Sequence, residues 1–386
     1  MKRIAVVGTI YKYLSHVQHI ADRFLVGYPA RGKWHRPDMK VVSLYIDQKP
    51  EGDLSGARAQ EFGFTVYPTI AGALRCGGEK LAVDAVLIVA EHGDYSSNEK
   101  QQVLYPRYEF FKQCVEVFEK DGRAVPVYND KHLSYSFEKA KWMVDASKRL
   151  RFPMLAGSSL PVTWRLPDLE LPLGCRIDDA LMVGVGGSDA MDYHALEAMQ
   201  CMIERRKGGE TGVRAVQLIE GEAVWNAGWS KELLRSALSR SDTPLGLTVK
   251  DARTQDLVGN GELPKIVKNP RAYFIEHNDG LKTTLLMLNG AVKDFNFAAR
   301  VRGLGVRSCQ FFLTPVPNVT YSACLVSKIE EMFETGRAPY PVERTLIVSG
   351  MLESCLTSRI EGHRRLETPH LSVRYQAPRE SQHARA

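Results

Sequence analysis

The sequence predicts an α/β protein with two units, a doubly wound parallel sheet followed by an α+β domain with a large, mostly antiparallel sheet. Residues 1–150 alternate short apolar runs with stretches of helical period, which is typical of parallel βαβ units. After residue 153, strand candidates follow one another with few helices between them, which favours a mixed or antiparallel sheet. The 386 residues, 44% of them hydrophobic, are enough for two cores.

In the first unit, residues 1–150, each predicted strand is followed by a predicted helix. The strands are expected at residues 4–8, 41–47, 85–90 and 124–128, with a further candidate at 154–156. Apolar residues at three-and-four spacing mark the longer helices, with Leu14, Val17, Ile20, Ala21 and Phe24 in the first, Tyr108, Phe111, Val115 and Phe118 in the second, and Phe137, Ala140, Met143, Val144 and Leu150 in the third. A short helix at residues 57–63 is expected to end at its glycine. This order predicts a Rossmann-like sheet.

The second unit, residues 151–375, begins with loops and one long helix at residues 191–206. Its strands are expected at residues 213–220, 246–249, 272–276, 283–288 and 310–313, and two helices at 323–335 and 341–359 close the unit. Residues 376–386 are polar and without period, so we expect a flexible tail.

Composition excludes several classes of partner. Lys and Arg number 51 against 45 Asp and Glu, and the excess of +6 is scattered, so nucleic acid is not expected as a partner. Seven cysteines without a CxxC pair indicate a reducing compartment, and we expect the cytoplasm. No apolar run approaches the roughly 18 residues that a membrane span needs.

The turn after the first predicted strand is a weak dinucleotide-binding signal. Gly8 is the first glycine of a GxGxxG pattern, but Ile10 and Tyr13 stand where the other two glycines would be. These bulky residues would crowd a pyrophosphate unless the loop takes another path. Asp47, at the end of the second strand, fits the acid that binds an adenosine ribose, although an Asp that merely ends a strand is about as plausible.

Ionisable residues follow two further strands. Glu91, His92 and Asp94 come directly after the strand at 85–90, and Lys131 and its neighbours follow the strand at 124–128. Open α/β sheets bind ligands at the carboxyl ends of their strands, so we expect these residues to form a site. A lysine there can donate a proton or anchor substrate oxygens, whereas most lysines are solvated surface residues.

The order of these segments resembles the glucose–fructose oxidoreductase/inositol dehydrogenase (Gfo/Idh/MocA) superfamily over essentially the whole chain. The matching segments are the first strand with its glycine, Tyr45-Ile46-Asp47, Asp130-Lys131-His132-Leu133-Ser134 and the helix His194-Ala195-Leu196-Glu197. Three motifs depart from the family. The glycine-rich turn is degraded, Glu-Lys-Pro has become Asp130-Lys131-His132, and Pro-Asn has become Glu91-His92.

The resemblance implies an oxidoreductase that acts on a sugar, inositol or related polyol with NAD or NADP. Lys131 falls on the family's catalytic lysine and His194 on its helical histidine, while Ala190 takes the place of the family's Asp and leaves Asp189 as the adjacent acid. The remaining implied contacts are cofactor binding by Gly8, Thr9, Ile10, Asp47, Glu91 and His92, and substrate binding by Asp94, His132 and Glu197.

Two alternatives stay open at this stage. His92, Asp94, His132 and His194, with Asp130 and Glu91 or Glu197 nearby, could hold a divalent metal such as Zn, Mn or Fe in a lyase, isomerase or hydrolase of a carbohydrate-like substrate. The chain could also be a binding homologue without catalysis. His194 itself shares a helix face with Met191, Met199 and Met202, so a core position competes with a catalytic one.

We also expect a homodimer or homotetramer. Apolar residues of the second sheet, namely Val216, Leu218, Leu285, Met287 and Phe311, are predicted to form an open face, and members of the family commonly pair through this sheet. The competing arrangement is a face covered by other segments of the same chain.

Overall fold

The computed structural model describes residues 1–242 and 256–385. The strand predicted at residues 246–249 lies outside these residues. The first half of the chain contains these elements in order: β1 (Lys2–Gly8), α1 (His16–Val26), β2 (Tyr28–Ala30), β3 (Lys33–His35), β4 (Met39–Ile46), α2 (Ser55–Phe62), β5 (Thr65–Val66), α3 (Ile70–Arg75), β6 (Ala85–Val89), α4 (Arg107–Asp121), β7 (Val127–Asp130), α5 (Phe137–Arg149) and β8 (Met154–Gly157).

The second half continues with β9 (Trp164–Leu166), β10 (Ile177–Gly184), α6 (Ala190–Ile203), β11 (Val213–Glu220), α7 (Lys231–Leu238), α8 (Leu263–Ile266), β12 (Arg271–His277), β13 (Lys282–Met287), β14 (Phe295–Val301), β15 (Gly305–Phe312), α9 (Tyr321–Thr335), α10 (Glu343–Ile360) and β16 (Leu366–Glu367). Short 3-10 turns lie at Leu160–Val162, Gly221–Asn226 and Pro369–Leu371.

The first sheet is parallel, as predicted, with the strand order β5-β4-β1-β6-β7-β8. All five residues of β6 are buried, because helices cover both faces of the sheet. Helices α3, α4 and α5 pack on one face, and α1 and α9 pack on the other. The order reverses at β1, whose neighbours are β4 on one side and β6 on the other, and this reversal creates a crevice above the carboxyl end of β1.

The second sheet has eight strands in the order β16-β11-β12-β13-β10-β14-β15-β9. Among the described strands of this sheet, β10 and β13 are the parallel pair and the other neighbours are antiparallel, which confirms the predicted mixed sheet. Helices α6 and α10 pack against one face, and α7 packs against β10, β14 and β15 on the other.

Three segments differ from the sequence-based division of the chain. Strand β8 completes the first sheet, so that sheet extends beyond residue 150, and α9 packs on the first sheet although it follows the strands of the second. Residues 376–385 do not form a free tail. The Ala384 amide donates to the Val162 carbonyl at 2.8 Å, and buried His383 pairs with Asp168 at 2.6 Å. Backbone and side-chain bonds therefore hold this segment against residues 160–170.

The residues expected on an open face of the second sheet lie instead in the interior. Val216, Leu218, Leu285, Met287 and Phe311 are each at most 1% exposed and belong to the core that includes α6 and α10. Their side chains point to the helical face because alternate residues of a strand point to opposite faces. The opposite face is partly covered by α7 of the same chain. These residues cannot form the predicted interface, and the homodimer or homotetramer stays a prediction that light scattering can test.

Candidate functional site

A cavity of about 420 Å³ lies at the carboxyl ends of β6 and β7, where the first sheet meets the start of α6. Its polar lining consists of His16, His19, Glu91, His92, Asp130, Lys131, Ser158, Ser159, His194, Tyr321 and Ser322. Ile20, Leu160, Met191, Phe295, Leu313 and Leu325 are among its apolar lining residues. An apolar wall with a few convergent polar groups is the usual composition of a small-molecule site.

Lys131 lies at the centre of the polar wall. It follows β7 with a φ of 62°, and its amide donates to the Gly157 carbonyl at 3.2 Å, so the end of β8 fixes a backbone conformation that non-glycine residues seldom adopt. Its Nζ lies 3.3 Å from Glu91 Oε1, and both side chains are almost fully buried. A buried ammonium that faces a cavity can donate hydrogen bonds to substrate oxygens.

Glu91 is held by two cations. Its other carboxylate oxygen pairs with Arg107, which is completely buried, and its carbonyl accepts a hydrogen bond from Thr9 Oγ1 at 2.9 Å. Burial alone would raise the pKa of Glu91, but Lys131 and Arg107 hold it well below its usual range. Glu91 is therefore a fixed anion that orients Lys131. From the sequence, we expected Glu91 to bind the cofactor.

His16 is a site residue that the sequence reasoning missed. Its Nδ1 lies 2.6 Å from Asp130 Oδ2, and its ring lies 5.0 Å from the ring of His92 in an edge-on arrangement. A carboxylate on one imidazole nitrogen fixes the ring and leaves the other nitrogen for a proton transfer. The signal was available, because His16 and His19 are one turn apart at the start of the first predicted helix.

His92 and His194 line the cavity, as expected from their positions in the sequence. Burial, followed by the charge of His16, lowers the pKa of His92 to about 4, and burial lowers that of His194 well below its usual range. Both rings are thus neutral near pH 7. Among the described residues, Nδ1 of each ring is buried and lacks a hydrogen-bond partner.

Four other predicted site residues do not line the cavity. Arg107 donates to Nε2 of buried His132 at 3.2 Å, which places His132 behind Glu91. Asp189 begins α6, where its amide donates to Asp192 Oδ2 at 3.1 Å, and burial raises its pKa to about 6. Asp94 is exposed, and its backbone is hydrogen-bonded to the Gln48 side chain.

Glu197 is the fourth of these residues, and it has a structural environment. Its Oε2 accepts from the amide and hydroxyl of Ser158 at 2.8 Å each, and its Oε1 accepts from Tyr193 at 2.9 Å and Thr345 at 3.3 Å. The side chain is buried, and burial raises its pKa. Since its lone pairs are already used by the protein, Glu197 braces the end of β8, and the structure does not place it in contact with a cavity ligand.

The loop between β1 and α1 takes a path unlike a glycine-rich phosphate loop. Ile10 turns inward and is 6% exposed, whereas Tyr13 turns outward and is 64% exposed. Amides that could face a phosphate are used within the loop, because Leu14 N donates to Gln18 Oε1 at 2.6 Å and Lys12 N donates to Ser15 Oγ at 3.1 Å. The residues Gly8, Thr9 and Ile10, expected to bind a cofactor, pack into the protein instead.

Asp47, expected to bind a ribose, is already hydrogen-bonded. Tyr45 donates to its Oδ1 at 2.8 Å, and Tyr95 donates to its Oδ2 at 2.7 Å. The next residue, Gln48, donates to the Asp94 carbonyl at 3.0 Å and accepts from the Asp94 amide at 2.9 Å. These bonds join the ends of β4 and β6 across the crevice above β1.

These observations test whether a nicotinamide dinucleotide fits. The cavity end of the crevice has room for a small ligand beside a buried cation. At the opposite end, an adenosine diphosphate would compete with hydrogen bonds that the protein makes within itself. A whole dinucleotide therefore meets a barrier at the adenosine end of the crevice and none of this kind at the cavity end.

The metal alternative is wrong for the part of the chain that the structure describes. Within residues 1–242 and 256–385, no three His, Cys, Asp or Glu side chains are arranged to hold a metal ion. His132 is behind Glu91 and Asp94 is exposed, so the four proposed ligands do not converge. No helix in the same residues is long and apolar enough to cross a bilayer.

The chain matches known proteins in three-dimensional structure but not in sequence. No family model and no curated protein sequence matches the chain. Among solved structures, the chain is similar to myo-inositol dehydrogenase from Lactobacillus casei in complex with NAD(H) and myo-inositol, at 11% identity and a TM-score of 0.56, with 95% of this chain and 96% of that chain covered.

Two further structures give the same result. GenD2 from gentamicin A biosynthesis, in complex with NAD, is 14% identical with a TM-score of 0.57, and 95% of this chain and 96% of that chain are covered. A probable dehydrogenase from Thermotoga maritima is 11% identical with a TM-score of 0.56, over 96% and 99% of the two chains. The chain therefore has the two-unit fold of these dehydrogenases, as the resemblance to the Gfo/Idh/MocA superfamily predicted.

Proposed function

We propose that this chain is an oxidoreductase that acts on a sugar, inositol or related polyol with NAD or NADP. The observation that carries the proposal is the buried Lys131 ammonium, held 3.3 Å from Glu91 in a cavity at the carboxyl end of β7. The fold of the similar dehydrogenases supports it. Hydride transfer is the chemistry that a nicotinamide supplies when bound.

The cavity residues have separate roles toward a substrate hydroxyl, which are stabilisation of its charge and transfer of its proton. Lys131 donates a hydrogen bond to the reacting oxygen and stabilises the negative charge that develops when the hydroxyl loses its proton. His194 lines the same cavity and is the candidate acceptor of that proton. His16, held by Asp130, is a second candidate proton carrier in the cavity lining.

The lining favours a neutral, polyhydroxylated substrate over an anion. The buried cations Lys131 and Arg107 are balanced by the carboxylates of Glu91 and Asp130, and His92 and His194 add no positive charge near neutral pH because of their lowered pKa values. Neutral imidazoles offer one donor and one acceptor each, which suits hydroxyl groups.

Titration with NAD(H) and NADP(H) by calorimetry and by nicotinamide fluorescence tests this proposal. A panel of inositols, sugars and alditols is then assayed for formation of reduced nicotinamide. Binding of one cofactor, with turnover of at least one polyol, supports the proposal. Absence of binding by either cofactor up to millimolar concentration overturns it.

The closed end of the crevice favours one second candidate, an isomerase or lyase of a carbohydrate-like substrate that needs no dinucleotide. Such an enzyme would use the same proton carriers, His16 and His194, with Lys131 stabilising an enolate oxygen. Exchange of a carbon-bound substrate proton with deuterated solvent, in protein free of nicotinamide, distinguishes it from the first.

A further inference from the structure

Two pairs of residues join the two sides of the crevice where a dinucleotide would lie. Asp47 and Gln48 follow β4, Asp94 and Tyr95 follow β6, and these four residues are termed the crevice bridge below. Gln48 makes two hydrogen bonds with the Asp94 backbone, at 2.9 and 3.0 Å, and Tyr95 makes one with Asp47 at 2.7 Å. The bridge thus contains three hydrogen bonds between strands that are not neighbours in the sheet.

The backbone before Tyr95 is shaped for this contact. His92 and Gly93 have φ values of 69° and 113°, so two successive residues lie in the left-handed half of backbone space. A Cβ on Gly93 would lie 2.6 Å from Tyr95 Cε2 and 3.1 Å from Gln48 Oε1. Only glycine allows the bridge side chains to approach the loop this closely.

The aromatic neighbours of the bridge hold it further. The Tyr95 ring packs edge-on against the Tyr105 ring at 5.6 Å, and Tyr45 occupies the second oxygen of Asp47 at 2.8 Å. Asp47 is solvent-exposed, but each of its carboxylate oxygens accepts a hydrogen bond from a tyrosine hydroxyl. A ribose diol that binds this carboxylate competes with two tyrosine hydroxyls for its lone pairs.

We propose that Gln48 and Tyr95 are specificity-determining residues, which disfavour a whole dinucleotide and leave the cavity end open to a smaller nicotinamide ligand. The inference rests on the proposed function, because it concerns the cofactor of that site. Adenosine and its phosphate compete with three internal hydrogen bonds, whereas a nicotinamide mononucleotide lacks the adenosine half that competes with them. The bridge therefore lowers the affinity for the dinucleotide and leaves the affinity for the mononucleotide unchanged.

The test compares NADH with reduced nicotinamide mononucleotide, which lacks the adenosine half. Gln48→Ala removes two bridge bonds, and Tyr95→Phe removes one while keeping the ring and freeing Asp47 Oδ2. We expect Tyr95→Phe to bind NADH roughly fivefold more tightly than the natural protein, the factor that one net hydrogen bond contributes, and Gln48→Ala to show an increase at least as large. Affinity for the mononucleotide should not change. Gln113→Ala, on the exposed surface of α4, is the matched control.

Each outcome has a separate meaning. Equal NADH affinity in the natural protein and both variants overturns the inference and leaves the proposed function standing. Binding of the mononucleotide without NADH binding by any variant also overturns it, because something other than the bridge then excludes adenosine. Failure of NADH and NADPH to bind the natural protein and every variant overturns the proposed function as well, whether or not the mononucleotide binds. Thermal unfolding of each variant checks that it is folded.

Discussion

The two halves of the carboxyl edge of the first sheet start from similar residues and end differently. At the end of β4, Asp47 and Gln48 bond to Tyr95 and Asp94, and the polar groups satisfy one another. At the ends of β6 and β7, Glu91 and Lys131 pair beside an open cavity, and ring nitrogens of nearby histidines have no partner among the described residues. A polar residue at a strand end therefore indicates a ligand site only where it also faces a cavity and the protein does not already use its hydrogen-bonding groups.

The largest expected effect is on stability in the open half. Arg107→Met leaves the Glu91 carboxylate with Lys131 alone, and the loss of one partner of a buried ion pair costs about 3–5 kcal/mol of unfolding free energy. Arg149→Met is the control, because Arg149 and its partner Glu119 are about half exposed and such pairs contribute about 1 kcal/mol or less. Denaturant unfolding measures both. Equal losses of unfolding free energy in the two variants would contradict the prediction that the buried ion pair contributes more than the exposed one.

Lys131→Met is expected to reduce turnover about 100-fold or more, the usual contribution of a proton-transferring or charge-stabilising group. Stability should fall as well, because Glu91 then keeps Arg107 alone. The measurement is kcat on the best polyol of the panel. Lys139→Met, which removes a surface lysine paired with Glu109, should retain full turnover. Comparable turnover in the two variants would place the chemistry elsewhere.

Acid should weaken the open half first. The folded-state pKa values of His19 and His92 are lowered from 6.5 to about 4, chiefly by burial. Each histidine therefore contributes stability above pH 6.5, and that stability is lost as pH falls through 4, by about 1–2 kcal/mol each after allowance for partial exposure.

Unfolding midpoints of the natural protein and of His92→Asn, measured at neutral pH and near pH 5, test this expectation. The variant should lose less stability between the two conditions. Hydrogen exchange adds a spatial check, because amides of α1 should lose protection in acid before those of β4. A parallel loss at both ends of the sheet would contradict the difference between the halves.

Glu197→Gln should have the smallest effect. The amide oxygen still accepts from the Ser158 donors, while the amide nitrogen replaces the one oxygen that accepts from Tyr193 and Thr345, so we expect a loss of about 1 kcal/mol in unfolding free energy. Ligand affinity should not change, because Glu197 does not line the cavity. A specific loss of polyol affinity would restore Glu197 to the substrate site that the resemblance implied.

The sequence predicted features that depend on local periodicity. Apolar runs with helical stretches between them predicted the parallel sheet, and Lys131, Glu91 and His92 were expected at strand ends, where the structure has them. The central strand β10 was missed, because Ile177-Asp178-Asp179 breaks its apolar run with two acids that pair with Arg302 and Arg300. Those acids lie at the exposed start of the strand, which periodicity alone does not distinguish from a loop.

What the sequence determined by itself was the class of fold and the positions of ionisable groups along each strand, since both follow from spacing in the chain. Only the tertiary structure decided which of these groups are free. Asp47 and Glu197 are bonded by residues from distant segments, Tyr95 and Thr345 among them, while His16 and Asp130 meet across 114 positions. Contacts of this kind depend on packing between elements. Whether a carboxylate is bound by the protein or offered to a ligand is therefore settled by the fold as a whole.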